Sequence, residues 1–315
     1  MTLASAIKWV WNPDIGINIG SFTLHYYSLT WLAAFGLGWY VTKFIYRREG
    51  IALEKLDSLF IYTMVATMLG ARLGHVFFYD WDYYQHHLLE IVLPFKFIPE
   101  FEFTGFSGLA SHGAAIGIII GMYFYKKKVL NAPVLWILDR VVIPVASGGV
   151  LIRLGNFINS EIVGKPTDGN IAVKFIRNTG DLRPFQAQQI VGTENLNEAY
   201  TAIAELPQYQ EVLDSIPWRH PTQLYEAFCY VVIFAVLMFM YWKTNARKKL
   251  GLLFGTFLVS LWTVRFFIEF FKEAQVEERA TWLFNTGQWL SIPFVIFGLY
   301  LMFKKKKDFE YVENK

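Results

Sequence analysis

The feature that most constrains this chain is a series of apolar stretches, each about as long as the 20 residues that a helix needs to cross a membrane. Seven such stretches occur, at residues 22–46, 56–78, 108–125, 133–158, 222–242, 249–271 and 286–303. We therefore predict an all-α fold, a polytopic membrane helix bundle with about seven transmembrane helices.

The composition agrees with a membrane protein. Hydrophobic residues make up 54% of the 315 residues and charged residues 17%, against about 45–50% and about 25% in an average soluble domain. So little charge cannot cover a soluble surface, which excludes the disordered, collagenous and nucleic-acid-tail classes. The single cysteine, Cys229, excludes an intramolecular disulfide framework and a multi-cysteine metal site.

Basic residues between the apolar stretches predict the orientation. Clusters of lysine and arginine follow the first, third, fifth and seventh stretches, and the other loops are less basic. Because short cytoplasmic loops carry the excess of basic residues, we predict an N-terminus outside and a C-terminus in the cytoplasm. The predicted parts are transmembrane helices 1–4 in 1–159, an extracytoplasmic segment in 160–219, helices 5–7 in 220–303 and a basic cytoplasmic tail in 304–315.

Charged residues inside the apolar stretches are the candidates for function, since each costs at least about 2.5–3.5 kcal/mol at the centre of a bilayer. On the predicted topology most of the polar candidates share one depth, near the outer surface. They are Arg72, Arg153 and Arg265, joined by His112, Tyr27, Arg219 and His220 at helix starts. Arg140 lies nearer the cytoplasmic end of its helix, where snorkelling accounts for it. The alternative is that all these residues are interhelical hydrogen-bonding groups or interface anchors.

The run from Arg153 to Glu161 concentrates groups that suit one ligand. Arg153 and Asn156 are spaced i, i+3 and share a helix face, and Asn159 and Glu161 follow in the same run. Guanidinium groups hold phosphate oxygens in a bidentate geometry. Arginines with amides at a membrane surface therefore favour a site for a phosphate headgroup. No third ligand stands at metal-binding spacing around His86–His87, so we predict no metal site.

These residues belong to motifs that resemble the bacterial prolipoprotein diacylglyceryl transferases over most of the membrane part. The run that looks like the family's signature is Arg153-Leu-Gly-Asn-Phe-Ile-Asn-Ser-Glu-Ile-Val-Gly164. Further motifs in the expected order are His25-Tyr-Tyr27, Gly70-Ala-Arg-Leu-Gly74, Ser111-His-Gly113, Arg219-His-Pro-Thr-Gln-Leu-Tyr-Glu226, Arg265-Phe-Phe-Ile-Glu-Phe-Phe271, Gly287-Gln288 and Ser291-Ile-Pro293. Several separated motifs in order are far more specific than one short match.

The resemblance implies that the diacylglyceryl group of phosphatidylglycerol moves to the lipobox cysteine thiol of a prolipoprotein signal peptide at the bacterial inner membrane. A thioether forms and glycerol-1-phosphate leaves. The implied catalytic residues are His112 as general base, with Arg153 and Arg265 as stabilisers of the departing phosphate. The implied substrate-binding residues are Tyr27, Arg72, Asn156, Asn159, Glu161, Gly164, Arg219, His220 and Glu269. Neither a metal nor another cofactor is expected.

The sequence departs from the family pattern at three places. Leu261 stands where relatives commonly carry a tyrosine four residues before Arg265, and Ala114 stands where a second glycine is usual. The exposed segment before Arg219 is longer than is typical. A transporter or flippase for anionic lipids is the competing class. It would call for internal repeats and broken helices around a midplane site, whereas the polar residues here lie towards one side.

Overall fold

The computed structural model describes residues 7–20, 22–78, 80–93, 95–96, 102–103, 111–272, 284–305 and 307–312. Its helices are α1 (Tyr26–Glu49), α2 (Leu53–Phe78), α3 (Trp81–Tyr84), α4 (Leu89–Val92), α5 (Ser111–Lys128), α6 (Val134–Ile158), α7 (Pro184–Val191), α8 (Leu196–Glu205), α9 (Gln210–Ser215), α10 (Thr222–Lys243), α11 (Leu252–Ile268) and α12 (Thr286–Phe303). Its short strands are β1 (Ile7–Trp11), β2 (Gly16–Ile19), β3 (Phe22–His25), β4 (Phe95–Lys96), β5 (Glu102–Phe103) and β6 (Ile171–Phe175).

The long helices coincide with the apolar stretches. Each of the seven stretches contains most of one long helix, namely α1, α2, α5, α6, α10, α11 or α12, so the mostly helical fold is confirmed. Within the described residues, four segments are long and apolar enough to cross a membrane, at Leu53–Phe77, Val134–Ile158, Thr222–Lys243 and Leu252–Phe271. The stretch Gly287–Phe303 is apolar but shorter. The protein is therefore a helical membrane protein, and a seven-span topology stays a prediction.

The first apolar stretch begins before its helix. Residues 22–25 form β3, which pairs antiparallel with β2 and places Gly16 opposite His25. Gly20 takes a φ of 63° between the two strands, a left-handed conformation that glycine adopts without steric cost. The predicted start at residue 22 is therefore wrong, because hydropathy does not separate an apolar strand from the first turn of a helix.

The chain forms two compact units. The first consists of Met1–Tyr40 and Val142–Lys307, and the second of Val41–Val141 and Asp308–Lys315. Both units draw on distant parts of the chain.

In the first unit, the polar segment 160–219 is a folded module with its own apolar core. Strand β6 pairs in parallel with β1, with Ile7 opposite Ile171. The core consists of Ile176, Leu182, Ala187, Ala199, Tyr200, Ile203, Leu213 and Ile216. Helices α8 and α9 lie within this module, between Glu194 and Ile216.

In the second unit, Arg140 is buried in an ion pair. Its Nη2 donates to Glu49 Oε1 at 2.8 Å, and the two side chains are 3% and 6% exposed. The guanidinium also lies 3.8 Å from the ring centroid of Trp136. The snorkelling interpretation of Arg140 is therefore wrong, because a carboxylate that is distant in sequence neutralises the charge in place. Tyr311 of the C-terminal tail packs on the same Trp136 ring at 5.6 Å.

The second unit also contains a helix pair in very close contact. A Cβ atom on Gly113 would lie 2.2 Å from the carbonyl oxygen of Gly70, and one on Gly117 would lie 2.3 Å from that of Ala66. Such small residues at four-residue spacing let the backbones of membrane helices approach. The glycines of the Gly70–Gly74 motif and of α5 are thus required by the packing of α2 on α5.

We expect Gly117→Ala to lower the stability of the protein by about 1–3 kcal/mol, the usual effect of overpacking. Gly36→Ala is the matched control, since that helical glycine has nothing within 4 Å of its added Cβ. It should be neutral or stabilising by up to about 1 kcal/mol, the helix-propensity difference. Thermal unfolding of both purified variants in detergent measures the difference. An unchanged unfolding temperature for Gly117→Ala would contradict the close helix contact.

Candidate active site

The site is centred on the C-terminal end of α6, where Arg153 and Asn156 share one helix face as their spacing predicted. Arg153 Nη1 donates to Asn156 Oδ1 at 3.4 Å. Between them on the chain, Gly155 makes room for α1, since an added Cβ would lie 2.8 Å from Tyr27 Cδ2 and 2.3 Å from Thr30 Oγ1. As a result Asn156 Nδ2 donates a hydrogen bond to the Tyr27 hydroxyl oxygen at 3.5 Å.

The loop after α6 brings Glu161 into this group. Asn156 Nδ2 also lies 3.5 Å from Glu161 Oε2, and Asn159 Nδ2 donates to Glu161 Oε1 at 3.1 Å. The backbone here is unusual, because Ser160 has a φ of 55° and Ile162 a φ of 56°. A β-branched residue in the left-handed region is a true outlier, and such strain gathers at functional sites.

The first turn of α10 holds that strained loop in place. Thr222 Oγ1 donates to the carbonyl oxygen of Ile162 at 2.9 Å, and Gln223 Nε2 donates to that of Glu161 at 2.6 Å. Both donors are fully buried. The strained conformation is therefore fixed by side chains from the Arg219–Glu226 motif.

A chain of buried charges continues from Arg153 through Glu226 and Lys272, two residues without a role predicted from the sequence. Arg153 Nε forms an ion pair at 2.8 Å with Glu226 Oε2, and the Glu226 side chain is 0% exposed. Lys272 Nζ donates to the other oxygen, Glu226 Oε1, at 2.9 Å. Glu226 is the last residue of the Arg219–Glu226 motif, and Lys272 directly follows the Arg265–Phe271 motif. These positions are the sequence feature from which a role for the two residues could have been predicted.

Arg265 belongs to the same neighbourhood. The Arg153 guanidinium carbon lies 6.0 Å from the ring centroid of Tyr230, and the Tyr230 phenol interacts electrostatically with Glu226, Arg153 and Arg265. The Arg265 guanidinium lies over the Trp262 ring at 5.2 Å, and its buried Nε has no hydrogen-bond partner among the described residues. The structure thus brings Arg265 and Arg153 to one side chain, Tyr230, which sequence reasoning missed.

Glu269 lies at the edge of the charged chain. Its Oε2 is 3.8 Å from Lys272 Nζ. Gly287 in the first turn of α12 makes room for it, since an added Cβ would lie 2.8 Å from the Glu269 carboxyl carbon. Asn285 and Gln288 cap that helix reciprocally. The Gly287–Gln288 motif therefore positions α12 against Glu269.

Three predicted site residues are engaged in local structure. Arg219 forms an ion pair with Asp181, with Nε 2.7 Å from Oδ2, and its Nη1 donates to the carbonyl oxygen of Gly164 at 3.0 Å. Gly164 has no room for a side chain, because an added Cβ would lie 2.6 Å from His220 Cβ. Burial lowers the pKa of His220, and its ring packs on Phe271 at 5.1 Å. These contacts favour structural roles, and their substrate-binding roles stay predictions.

The remaining two predicted residues lie in the second unit. Arg72 is buried. Its Nε donates to the carbonyl oxygen of Ile91 at 3.1 Å, and its Nη2 donates to the carbonyl oxygen of Glu90. Its guanidinium also lies 4.8 Å from the Tyr84 ring centroid. His112 is the second residue of α5, and its side chain lies outside the part of the chain that the structure describes. The roles of both residues stay predictions.

Comparison with known sequences gives a consistent result. The family profile described as prolipoprotein diacylglyceryl transferase matches residues 14–304. A Bacteroides fragilis protein is 36% identical over 309 residues, with 96% of this chain and 98% of the relative covered. A Chloroherpeton thalassium protein is 36% identical, with 98% and 97% covered, and a Tolumonas auensis protein is 37% identical, with 95% and 98% covered. All three relatives are named phosphatidylglycerol--prolipoprotein diacylglyceryl transferase.

The Arg219–Asp181 pair gives a prediction that separates a structural role from substrate binding. Both side chains are buried, so Arg219→Ala and Asp181→Ala should each cost about 3–5 kcal/mol, the usual effect of leaving one buried charge unpaired. The double variant should be no less stable than either single variant. Limited proteolysis of segment 160–219 and thermal unfolding measure this. An Arg219→Ala variant as stable as the wild type would instead favour the substrate-binding role of Arg219.

Proposed function

Because the chain belongs to the prolipoprotein diacylglyceryl transferase family, we propose that it transfers the diacylglyceryl group of phosphatidylglycerol to the lipobox cysteine of a prolipoprotein. The products are a thioether and glycerol-1-phosphate, and the step is the first in bacterial lipoprotein maturation. The observation that carries this proposal is the largely buried Arg153, held by Asn156 and Glu226, with Arg153 and Arg265 both close to Tyr230.

The chemistry requires a site for growing negative charge. The cysteine sulfur attacks the glycerol carbon that bears the phosphate, the carbon–oxygen bond breaks, and its electron pair leaves with glycerol-1-phosphate. The phosphodiester carries one negative charge and the departing monoester gains another. Arg153 and Arg265 stabilise this charge, because fixed donors in a water-poor site are worth far more than in water. Arg153 is suited to bidentate contact with the phosphate by its planar fork.

The thiol must lose its proton before or during attack, since the thiolate is the nucleophile and a free cysteine has a pKa of about 8.5. His112 is the residue that we assign as general base. The nucleophile belongs to the substrate, so Cys229 takes no part. Tyr27, Asn156 and Glu161 orient the headgroup or the arginines, as their contacts with one another support.

The predicted topology completes the proposal. Seven helices cross the bacterial inner membrane, the N-terminus lies outside, and the site opens towards the outer leaflet. The lysine and arginine clusters after the first, third, fifth and seventh helices support this orientation.

One experiment separates this function from a lipid flippase. The purified full chain is incubated with labelled phosphatidylglycerol and a peptide that contains a lipobox cysteine. Covalent transfer of the label to the peptide, with release of glycerol-1-phosphate, is the expected result. Movement of lipid between leaflets without labelled peptide would contradict the transferase function and support the flippase function.

Cysteine labelling tests the topology. In a Cys229→Ala background, cysteines placed at Ser111 and Asn159 should react with an impermeant thiol reagent added from outside. A cysteine at Asn131, an exposed residue between α5 and α6, should react only after the membrane is opened, since that loop follows a lysine cluster. The reverse pattern at these three positions would overturn the orientation.

Tyr27→Phe tests the phenol that contacts Asn156. The change keeps the ring but deletes the hydroxyl that we assign to the charged headgroup, and a hydrogen bond to a charged group is worth about 1.5–3 kcal/mol, so we expect transfer to slow by about one to two powers of ten. Tyr26→Phe is the matched control at the neighbouring position and should change the rate little. Equal, small effects at both tyrosines would leave Tyr27 as an interfacial aromatic.

His112→Gln should produce a defect that depends on pH. The loss of rate should be largest near neutrality, where a neutral imidazole accepts the thiol proton. Raising the pH towards the thiol's own pKa of about 8.5 should restore part of the rate, since the thiolate then forms unaided. A defect that stays constant up to pH about 9 would argue for an orienting role.

A further inference from the structure

The buried carboxylate of Glu226 is engaged on both of its oxygens. Oε2 faces Arg153 Nε at 2.8 Å, and Oε1 accepts a hydrogen bond from Lys272 Nζ at 2.9 Å. The Glu226 side chain is 0% exposed and that of Lys272 is 6% exposed, so water screens neither charge effectively. Arg153 thus shares its counterion with a second cation.

The backbone of Lys272 is held against the signature loop. Lys272 forms an antiparallel bridge with Gly164, and Lys165 N donates to the carbonyl oxygen of Phe271 at 2.7 Å. Its amide also donates to the carbonyl oxygen of Glu269 at 3.2 Å, which closes a tight turn. The ammonium group therefore approaches Glu226 from a fixed point.

On the basis of the proposed function, we propose that Lys272 is a positioning residue that acts through Glu226 on Arg153. By occupying Oε1, Lys272 limits the Glu226–Arg153 contact to the Nε side of the guanidinium. The guanidinium N–H groups that are not used by Glu226 or by the Nη1 contact with Asn156 then stay available for the phosphate of the lipid.

The electrostatic environment explains why this third cation matters. The described part of the site contains the cations Arg153, Arg265 and Lys272 and the carboxylates of Glu226, Glu269 and Glu161, with Arg153 paired to Glu226 and Lys272 close to both Glu226 and Glu269. Loss of Lys272 leaves an excess carboxylate, and Glu226 can then engage the Arg153 fork with both oxygens. The Arg153 guanidinium would then be neutralised by Glu226 before the anionic lipid binds.

A double-mutant cycle on transfer kinetics tests whether Lys272 acts through Glu226. It uses the full-length protein, phosphatidylglycerol and a lipobox peptide. Lys272→Met should lower kcat/KM by about 100-fold, the scale of a misplaced reacting group, with a raised KM for phosphatidylglycerol. In a Glu226→Gln background the same change should alter kcat/KM by no more than about twofold, the usual error of additivity. This is because Lys272 no longer has the Glu226 carboxylate through which to act on Arg153.

A matched control separates positioning from burial. Lys174 is also a buried lysine, 4% exposed, whose Nζ donates to the carbonyl oxygen of Leu213 at 2.7 Å. Lys174→Met should lower the unfolding temperature and leave kcat/KM within about twofold. Equal losses of kcat/KM from Lys174→Met and Lys272→Met would overturn the positioning role.

Two further outcomes decide the inference. A loss from Lys272→Met that is equally large in both backgrounds would mean that Lys272 acts independently of Glu226. If Lys272→Met does not fold, Glu226→Gln and the double variant are compared instead, since a buried pair replaced on both sides is tolerated. Equal activities of Glu226→Gln and the double variant support an action of Lys272 through Glu226. A less active double variant contradicts it. Wild-type transfer tests the proposed function separately.

Discussion

Arg153 and Glu226 meet at 2.8 Å inside the first unit, and the remaining side chains of the candidate site are arranged around that contact. A charge at membrane depth costs at least about 2.5–3.5 kcal/mol on insertion scales, so neither group is stable there alone. Lys272 completes the neutralisation of the carboxylate, and Asn156 contacts the other side of the guanidinium. Removing one member leaves an uncompensated buried charge, which is costly in a low-dielectric interior.

This contact also joins parts of the chain that are far apart in sequence. Arg153 comes from α6, Glu226 from α10 and Lys272 from the turn after α11, while Gly287 at the start of α12 packs on the Glu269 carboxylate. The strained loop after α6 is fixed by hydrogen bonds from the first turn of α10. Folding and the assembly of the candidate site are therefore coupled, because the helices that form the unit also supply the charges of the site.

The sequence predicted the parts of this structure that depend on local pattern. Apolar length placed seven long helices, and the i, i+3 spacing placed Asn156 beside Arg153. Pairings between distant residues could not be predicted in this way, since hydropathy does not report partners. Glu226 and Lys272 were missed for that reason, and Arg140 was interpreted as snorkelling although Glu49 neutralises it. Strand β3 was hidden because its residues are as apolar as the helix that follows.

We propose that the guanidinium fork of Arg153, and not its charge alone, binds the phosphate of the lipid. Arg153→Lys keeps the charge and loses the fork, and Arg140→Lys is the matched control on the same helix, since Arg140 also pairs with a buried glutamate. The direct measurement is the rate of diacylglyceryl transfer by the two inserted and folded variants. We predict a loss of about 100-fold or more for Arg153→Lys, the scale of removing a fixed donor from a developing anion, and little change for Arg140→Lys. Transfer by Arg153→Lys within a few-fold of wild type would contradict the account.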